Sequence, residues 1–359
     1  MNLIKYNLLC VLFFLNNTSI AQVNIEPKFY VGQILNHSDK LSHLIKGYCT
    51  LSEIAFSTQV KGKKYWEVKR HYPLLGISLF YGTFGNPEIL GNAISIIPRM
   101  DFSIGKPESK FRIRFGPGIA YLTKRFDLIE NPTHTAIGSH LNLTGQLQFF
   151  TSFPLKKYIS FNTGIGIFHY SNGAWKLPNL GINIYAVNIG ISFMKPTEIK
   201  YKDPDTVSFI KPPKEIINIR TGIGWKEYRT IGGPRYTQYV ISAGTPLINS
   251  PINKIYIGTE GFYDKSIFYG ITTNGSHEKN PHQKSIRGAG WVGYHFVMSK
   301  VSLSWHWGYY FYSPVAARNK LYQRMGVDYQ FYKRFYAGFY TKIHFFVIDA
   351  FEWSLGIRI

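Results

Sequence analysis

Most of the chain consists of short segments in which apolar and polar residues alternate with a period of two. In the first half these segments lie near residues 27–36, 48–59, 74–84, 91–104, 110–124, 136–152, 157–171 and 182–194. In the second half they lie near residues 215–227, 235–246, 253–263, 266–273, 288–298, 299–312, 321–332, 335–347 and 350–359. Because side chains on a β-strand point alternately to opposite faces, this pattern predicts strands. No later segment approaches the roughly 18 continuous apolar residues of a membrane-spanning helix, so the predicted fold is all-β.

The aromatic content indicates that these strands meet a membrane. Phe, Trp and Tyr make up 17% of the chain, with 26 Tyr, 27 Phe and 7 Trp. Strands that span an outer membrane carry aromatic girdles at both interfaces and place about 9–11 residues in the hydrocarbon layer. The run 109–127 is long enough for such a strand. The sequence therefore favours an antiparallel outer-membrane β-barrel over the alternative, a secreted soluble β-sandwich.

The N-terminus predicts export. Residues 1–21 resemble a signal peptide, with a positive start at Lys5, a short apolar core over 8–15 and small residues within 19–21. Together with the strand pattern, this predicts an outer-membrane location. The amphipathic segment 350–359 ends the chain on alternate apolar residues, which predicts a strand recognised by the barrel-assembly machinery.

A composition break divides the chain. Residues 196–213 are charged and proline-rich, which is typical of a linker. Eight predicted strands precede the break, so we predict an eight-stranded barrel over residues 22–195 and a second barrel-like region over 214–359. The alternative is a single wide barrel of about sixteen strands, with the break as a turn. That barrel would enclose an aqueous lumen, whereas an eight-stranded barrel is filled by its own side chains.

The charge of the chain predicts an anionic partner. The formal net charge is +21, and nothing in the sequence resembles a nucleic-acid-binding motif. The phosphates of lipopolysaccharide in the surrounding outer-membrane lipid suit an exported β-protein better. Lys124, Arg125 and Lys176 are candidate phosphate contacts on the rim. The 11 histidines show no metal-ligand spacing, and one thiol would remain after signal cleavage, so no metal, cofactor or internal disulfide is expected.

The segment 161–171, FNTGIGIFHYS, carries the most specific chemical signal. At a period of two, its apolar face runs through Ile165 and Ile167 and ends in His169 and Ser171. A serine hydroxyl becomes a useful nucleophile when an adjacent base removes its proton. If this face meets lipid, the pair suits an enzyme whose substrate is itself a lipid.

The residues around this pair resemble a known family. The stretch 169–174 has the pattern H-x-S-N, and it is followed by the turn 178–183 and preceded by the related stretch 136–142. Over about residues 25–195 the chain resembles the outer-membrane lipid A 3-O-deacylase (PagL) family. The resemblance implies an eight-stranded barrel in a Gram-negative outer membrane that hydrolyses the ester-linked acyl chain at position 3 of lipid A in lipopolysaccharide.

The same resemblance assigns roles to individual residues. Ser171 is implied as the nucleophile and His169 as the general base, with the Asn172 side chain and the Gly173 backbone amide as oxyanion donors. The family places an acidic residue where this chain has Asn183. An asparagine can accept a hydrogen bond from the imidazole and fix its tautomer, but it cannot stabilise imidazolium by charge. We therefore expect a working but slower enzyme.

Two further interpretations complete the predictions. Lys342, His344 and Glu352 could form a polar cluster in the second half, but cross-strand pairing inside a barrel is the favoured explanation. Ser139 and His140 are expected to be structural.

The alternative function for the whole chain is a non-catalytic outer-membrane barrel, either a pore or an adhesion protein.

Overall fold

The computed structural model describes residues 23–194, 201–203, 205–207, 213–273, 279–315, 319–344 and 347–359. The predicted signal peptide lies outside the described residues, and so does most of the predicted linker 196–213. Among the residues that are described, none of the helices has the length and apolar character required to cross a membrane.

The first barrel contains eight antiparallel strands that pair in sequence order. They are β1 (Asn24–Ile34), β2 (Cys49–Gln59), β3 (Leu74–Thr83), β4 (Asn92–Ser103), β5 (Phe111–Leu122), β6 (Leu141–Lys156), β7 (Ile159–Ser171) and β8 (Ile182–Phe193). Pairing of β1 with β8 closes the sheet, so the barrel has no unpaired edge.

The second barrel repeats this arrangement with eight more strands. They are β9 (Asn218–Glu227), β10 (Arg235–Asn249), β11 (Asn253–Asp264), β12 (Ile286–Met298), β13 (Val301–Tyr312), β14 (Leu321–Tyr332), β15 (Phe335–His344) and β16 (Val347–Arg358). Pairing of β16 with β9 closes it. The all-β prediction with two barrels is confirmed, and the alternative of one wide barrel is wrong because each set of strands closes on itself. The predicted domain boundaries stay a prediction.

Short helices lie in the connections between strands. They are a 3-10 helix (Asp39–Leu44), α1 (Tyr65–Lys69), α2 (Lys265–Thr273) and α3 (Pro281–Lys284). The strand predicted near 266–273 is wrong, because α2 occupies that segment. Asp264 explains the change: its Oδ1 accepts hydrogen bonds from the Ser266 backbone N–H at 2.9 Å and from the Ser266 hydroxyl at 2.6 Å. A carboxylate in this position caps a helix N-terminus, which overrides the alternating pattern.

The burial of the strands follows their period of two. On β8, Val187, Ile189 and Ile191 are exposed on the outer face, whereas Ala186 and Asn188 are buried in the interior. The same alternation runs through both barrels and leaves an apolar outer surface. An apolar exterior with a polar interior is the arrangement that a barrel in a lipid bilayer requires.

A buried ionic network around Arg114 fills part of the interior of the first barrel. Its Nη2 lies 2.7 Å from Glu26 Oε2 and 2.9 Å from Asp101 Oδ2. Its Nη1 lies 3.1 Å from Glu53 Oε1. Buried charges are tolerated when they are paired in this way. Next to this network, a cluster of buried apolar side chains fills more of the interior. The first barrel is therefore filled by its own side chains and is not an open channel.

The second barrel has a corresponding network around Arg324. Its Nη1 lies 2.6 Å from Glu260 Oε2, and its Nε lies 2.9 Å from Glu352 Oε2. Lys342 also points inward, with its Nζ 3.0 Å from Asp349 Oδ2. The favoured explanation for Lys342 and Glu352, pairing inside a barrel, agrees with these contacts.

Candidate active site

The predicted pair lies at the end of β7, on the outer face of the first barrel. Ile165 and Ile167 on this face are 59% and 55% exposed, and strand alternation places His169 and Ser171 on the same side. Phe168, between Ile167 and His169, and Tyr170, between His169 and Ser171, are buried in the interior. Ser171, however, is only 1% exposed. The pair therefore faces outward but is covered by the connection that follows, residues 172–181, which we call the site loop.

His169 is paired across the sheet with Asn183, its direct partner in the β7–β8 register. The imidazole Nδ1 lies 2.7 Å from Asn183 Oδ1. An amide oxygen only accepts hydrogen bonds, so Nδ1 carries the proton and Nε2 carries the lone pair. Nε2 is buried and has no hydrogen-bond partner in the part of the chain that the structure describes. The contact with Asn183 thus leaves the imidazole in the tautomer that a general base needs.

Asn183 is itself held by a residue that the sequence analysis did not single out. Its Nδ2 lies 3.3 Å from His37 Nδ1, and His37 Nε2 lies 3.1 Å from the Leu180 carbonyl oxygen. With Nδ2 on the side of His37, the amide oxygen of Asn183 points at His169. Such outer contacts fix the orientation of a working histidine. Nothing in the sequence places position 37 beside position 183, because 146 residues separate them.

Ser171 is held by the site loop. Its hydroxyl donates to Asn179 Oδ1 at 3.1 Å, and the Asn179 amide nitrogen lies 3.0 Å from the same Oγ. The Gly173 backbone N–H also donates to Ser171 Oγ, at 3.2 Å. Within the described ranges, Ser171 makes no hydrogen bond with His169. Asn179 is therefore a site residue that sequence reasoning missed, since an asparagine after a proline is typical of an ordinary turn.

Asn172 organises the site loop through its side chain and backbone. Its Nδ2 donates to Ser139 Oγ and to the Lys176 carbonyl oxygen, both at 2.8 Å. Its backbone N–H donates to Asn179 Oδ1 at 3.0 Å. Both side-chain amide hydrogens of Asn172 are thus bonded within the structure around the site. The Gly173 backbone N–H, in contrast, donates to Ser171 Oγ. Of the two predicted oxyanion donors, Gly173 is the one in direct contact with Ser171.

Gly181 keeps a space open beside the histidine and the serine. A Cβ at this position would lie 3.3 Å from His169 Cε1 and 3.9 Å from Ser171 Cβ. Its φ of 78° is also in the left-handed region that favours glycine. The two predicted catalytic side chains therefore border the same point. A larger residue at position 181 would contact both of them.

The three rim cations proposed as phosphate contacts lie at the same end of the first barrel. Lys124 Nζ donates to the Glu88 carbonyl oxygen at 2.6 Å. Arg125 lies 3.8 Å from Asp127, a distance typical of a weak ion pair between partly exposed groups. Lys176 belongs to the site loop. Their contact with lipid phosphates stays a prediction.

Comparison with known families decides the identity of the chain. Residues 53–192 match the model described as lipid A 3-O-deacylase (PagL), and residues 216–359 match the model described as acyloxyacyl hydrolase, C-terminal domain. Together the two matches cover most of the chain. The chain belongs to the PagL-type lipid A deacylase family. The resemblance predicted from 169–174 and 178–183 is thereby confirmed.

Solved structures give weaker likenesses. The crystal structure of the outer-membrane enzyme PagL matches 46% of this chain and 97% of its own, with 17% identity and a TM-score of 0.32. A porin of Rhodopseudomonas blastica matches 94% of this chain and 99% of its own, with 7% identity and a TM-score of 0.18. Both scores are low, so the fold assignment depends on the strand pairing in this chain. No curated protein matches the chain.

Family membership gives the general function. The chain is an outer-membrane β-barrel hydrolase that acts on ester bonds of lipid A, and lipid A is its substrate class. The predicted enzyme class is confirmed. The catalytic residues and the ester position follow from the site and are proposed below.

Proposed function

We propose that the chain removes the 3-O-linked acyl chain of lipid A, with Ser171 as nucleophile and His169 as general base. The observation that carries the proposal is the state of His169. Asn183 binds its Nδ1, and its Nε2 is buried without a partner in the described structure. Ser171 follows two positions later on the same strand. A base nitrogen that is free to take a proton, near a serine, is what nucleophilic ester hydrolysis requires.

In the first step, the Ser171 hydroxyl leaves Asn179 Oδ1 and turns toward His169 Nε2. His169 takes the proton while Oγ attacks the ester carbonyl, which forms a tetrahedral intermediate. Collapse of the intermediate releases the sugar hydroxyl, which receives the proton from His169, and leaves the acyl chain on Ser171. Water, activated by the same imidazole, then releases the fatty acid and restores the serine. Catalytic hydrogen bonds often tighten only when substrate is bound, so the resting contact with Asn179 is compatible with this sequence.

The oxyanion of the intermediate forms next to the serine, where the Gly173 N–H already points. A preorganised backbone donor in a site with little water is among the strongest contributions to such catalysis. Asn172 can donate to the oxyanion once one of its side-chain amide hydrogens leaves Ser139 Oγ or the Lys176 carbonyl oxygen. While both hydrogen bonds remain, Asn172 acts by holding the site loop in place.

The position of the site at the outer surface suits a substrate in the membrane. The acyl chain of lipid A would lie along the exposed face that contains Ile165 and Ile167. The ester would then meet Ser171 near the rim. Lys124, Arg125 and Lys176 lie at this rim and are proposed to bind the lipid A phosphates.

The decisive experiment is mass spectrometry of lipid A from cells that express the wild-type chain, the Ser171→Ala variant or an empty vector. We expect lipid A to lose one hydroxyacyl mass with the wild type only. Ser160→Ala, on β7 but distant from the rim, is the matched control and is expected to behave as the wild type. Lipid A that is identical in wild-type and empty-vector cells would exclude the proposed activity. Loss of the acyl chain in the Ser171→Ala cells would exclude this serine as the nucleophile.

A further inference from the structure

The second barrel contacts the site loop of the first barrel. Glu227, the last residue of β9, makes two hydrogen bonds to it: its backbone N–H donates to the Ala174 carbonyl oxygen at 2.8 Å, and its Oε2 accepts from the Leu177 N–H at 2.7 Å. One buried residue therefore holds both ends of the turn 174–177.

Arg235, the first residue of β10, adds a contact in the middle of this turn. Its Nε donates to the Trp175 carbonyl oxygen at 3.0 Å, and its guanidinium lies 4.2 Å from the centre of the Trp175 ring. A guanidinium over an indole face is attractive, and the planar group limits the positions that the ring can take. The same side chain thus fixes both the backbone and the ring of Trp175.

Phe351 of β16 packs against the start of the site loop. A Cβ at Gly173 would lie 2.5 Å from the Phe351 ring, so the backbone of Gly173 contacts the second barrel directly. Gly173 is also the residue whose N–H points at Ser171 Oγ. The position of this donor therefore depends on the surface of the second barrel.

These contacts connect to the serine through the hydrogen bonds inside the site loop. The Lys176 carbonyl oxygen, within the turn that Glu227 holds, accepts from Asn172 Nδ2. Asn172 in turn donates its backbone N–H to Asn179 Oδ1, the atom that accepts from Ser171. A shift of the turn 174–177 would therefore displace the two groups that bind the Ser171 hydroxyl, which are the Asn179 side chain and the Gly173 N–H.

We propose that the second barrel serves to position the active site, with Glu227 as the positioning residue for the site loop. This inference rests on the proposed function, because it takes Ser171 as the reacting group. It gives the C-terminal barrel a role that requires no catalytic residue of its own. Glu227 acts through the loop and does not touch the reacting atoms.

The test compares Glu227→Ala with Glu227→Gln in the full-length protein, using release of fatty acid from lipopolysaccharide in detergent micelles. A displacement of about 1 Å at a site can cost on the order of 100-fold in rate, so we expect Glu227→Ala to lower kcat about 10- to 100-fold with little change in KM. Glu227→Gln keeps an oxygen that can accept from Leu177 and is expected to retain most of the activity. An unchanged kcat in Glu227→Ala would overturn the proposal.

Arg70→Ala is the matched control, because Arg70 joins the barrels at the opposite rim. Its Nη2 donates to the Ile252 carbonyl oxygen at 2.8 Å and to Asn253 Oδ1 at 2.7 Å. Loss of these contacts is expected to leave kcat near the wild-type value. An equal fall in Arg70→Ala and Glu227→Ala would overturn the specific role of Glu227.

A second measurement separates this proposal from the proposed function. Trypsin can cut after Lys176 only when the site loop is released, so cleavage detected by mass spectrometry reports the loop without any need for activity. We expect Lys176 to be protected in the wild type and in Glu227→Gln, and cut in Glu227→Ala. Equal protection in all three would overturn the role of Glu227 even if the enzyme is active. A wild type that is protected but inactive would instead contradict the proposed function.

Discussion

The seventh strand of each barrel ends near a histidine, and the two histidines face opposite environments. His169 on β7 shares the outer face with exposed Ile165 and Ile167, whereas His344 on β15 is buried in the interior and stacks on Tyr310 with 5.9 Å between ring centres. The site loop, residues 172–181, follows β7 and covers Ser171. The comparison shows that strand parity, more than residue type, distinguishes a candidate catalytic histidine from a structural one.

Exchange of each histidine for glutamine is the strongest test of this difference. We expect His169→Gln to lower acyl release about 10²- to 10⁴-fold, because the serine loses its general base. His344→Gln should leave turnover near the wild-type value. Both variants are assayed on lipopolysaccharide, with folding checked by the heat-dependent shift of the barrel on gels. A loss of activity in His344→Gln alone would move the active site to the second barrel.

A smaller effect is expected from filling the space beside the pair. Gly181→Ala places a methyl group 3.3 Å from His169 Cε1 and imposes an unfavourable backbone at a φ of 78°. We expect kcat to fall about 10- to 100-fold, because small displacements at a reacting centre are costly. Gly105→Ala is the control: its φ is 83°, but its Cβ would meet nothing within 4 Å. Equal effects of the two substitutions on kcat would show that backbone strain, and not the space at the site, causes the loss.

The smallest effect should come from the charge of the residue behind His169. Asn183→Asp would place a carboxylate where Asn183 Oδ1 now lies 2.7 Å from Nδ1, and a carboxylate stabilises the imidazolium formed during attack. We expect kcat to rise about tenfold, since the asparagine already supplies the orientation. Asn183→Ala, which supplies neither orientation nor charge, should be slower than the wild type. A slower Asn183→Asp enzyme would mean that the contact with His37 requires the amide.

The strands were largely predictable because their signal is local. Segments such as 321–332 match the observed β14 without change, and most others differ from the observed strands by a few residues. The segment 266–273 failed because one side chain, Asp264, caps a helix there. A period of two over eight residues is weak evidence when a helix cap precedes it.

The site was predictable only in part. His169, Ser171 and Asn183 could be named because they lie on one face of adjacent strands in a recognisable motif. Asn179, which binds Ser171, and His37, which binds Asn183, were missed. Their roles depend on how the site loop folds back over β7 and on the closure of the barrel between β1 and β8, and neither appears as a spacing in the sequence.

The sequence by itself determined the all-β class and the common strand face of the histidine and serine, because alternation along a strand is set by backbone geometry alone. It favoured two barrels over one wide barrel, and its motif at 169–174 indicated the family. Only the tertiary structure decided that the site loop covers the serine and that the second barrel contacts this loop through Glu227. The loop contact to Leu177 joins residues 50 positions apart and requires both sheets to be closed, which no local pattern in the sequence encodes.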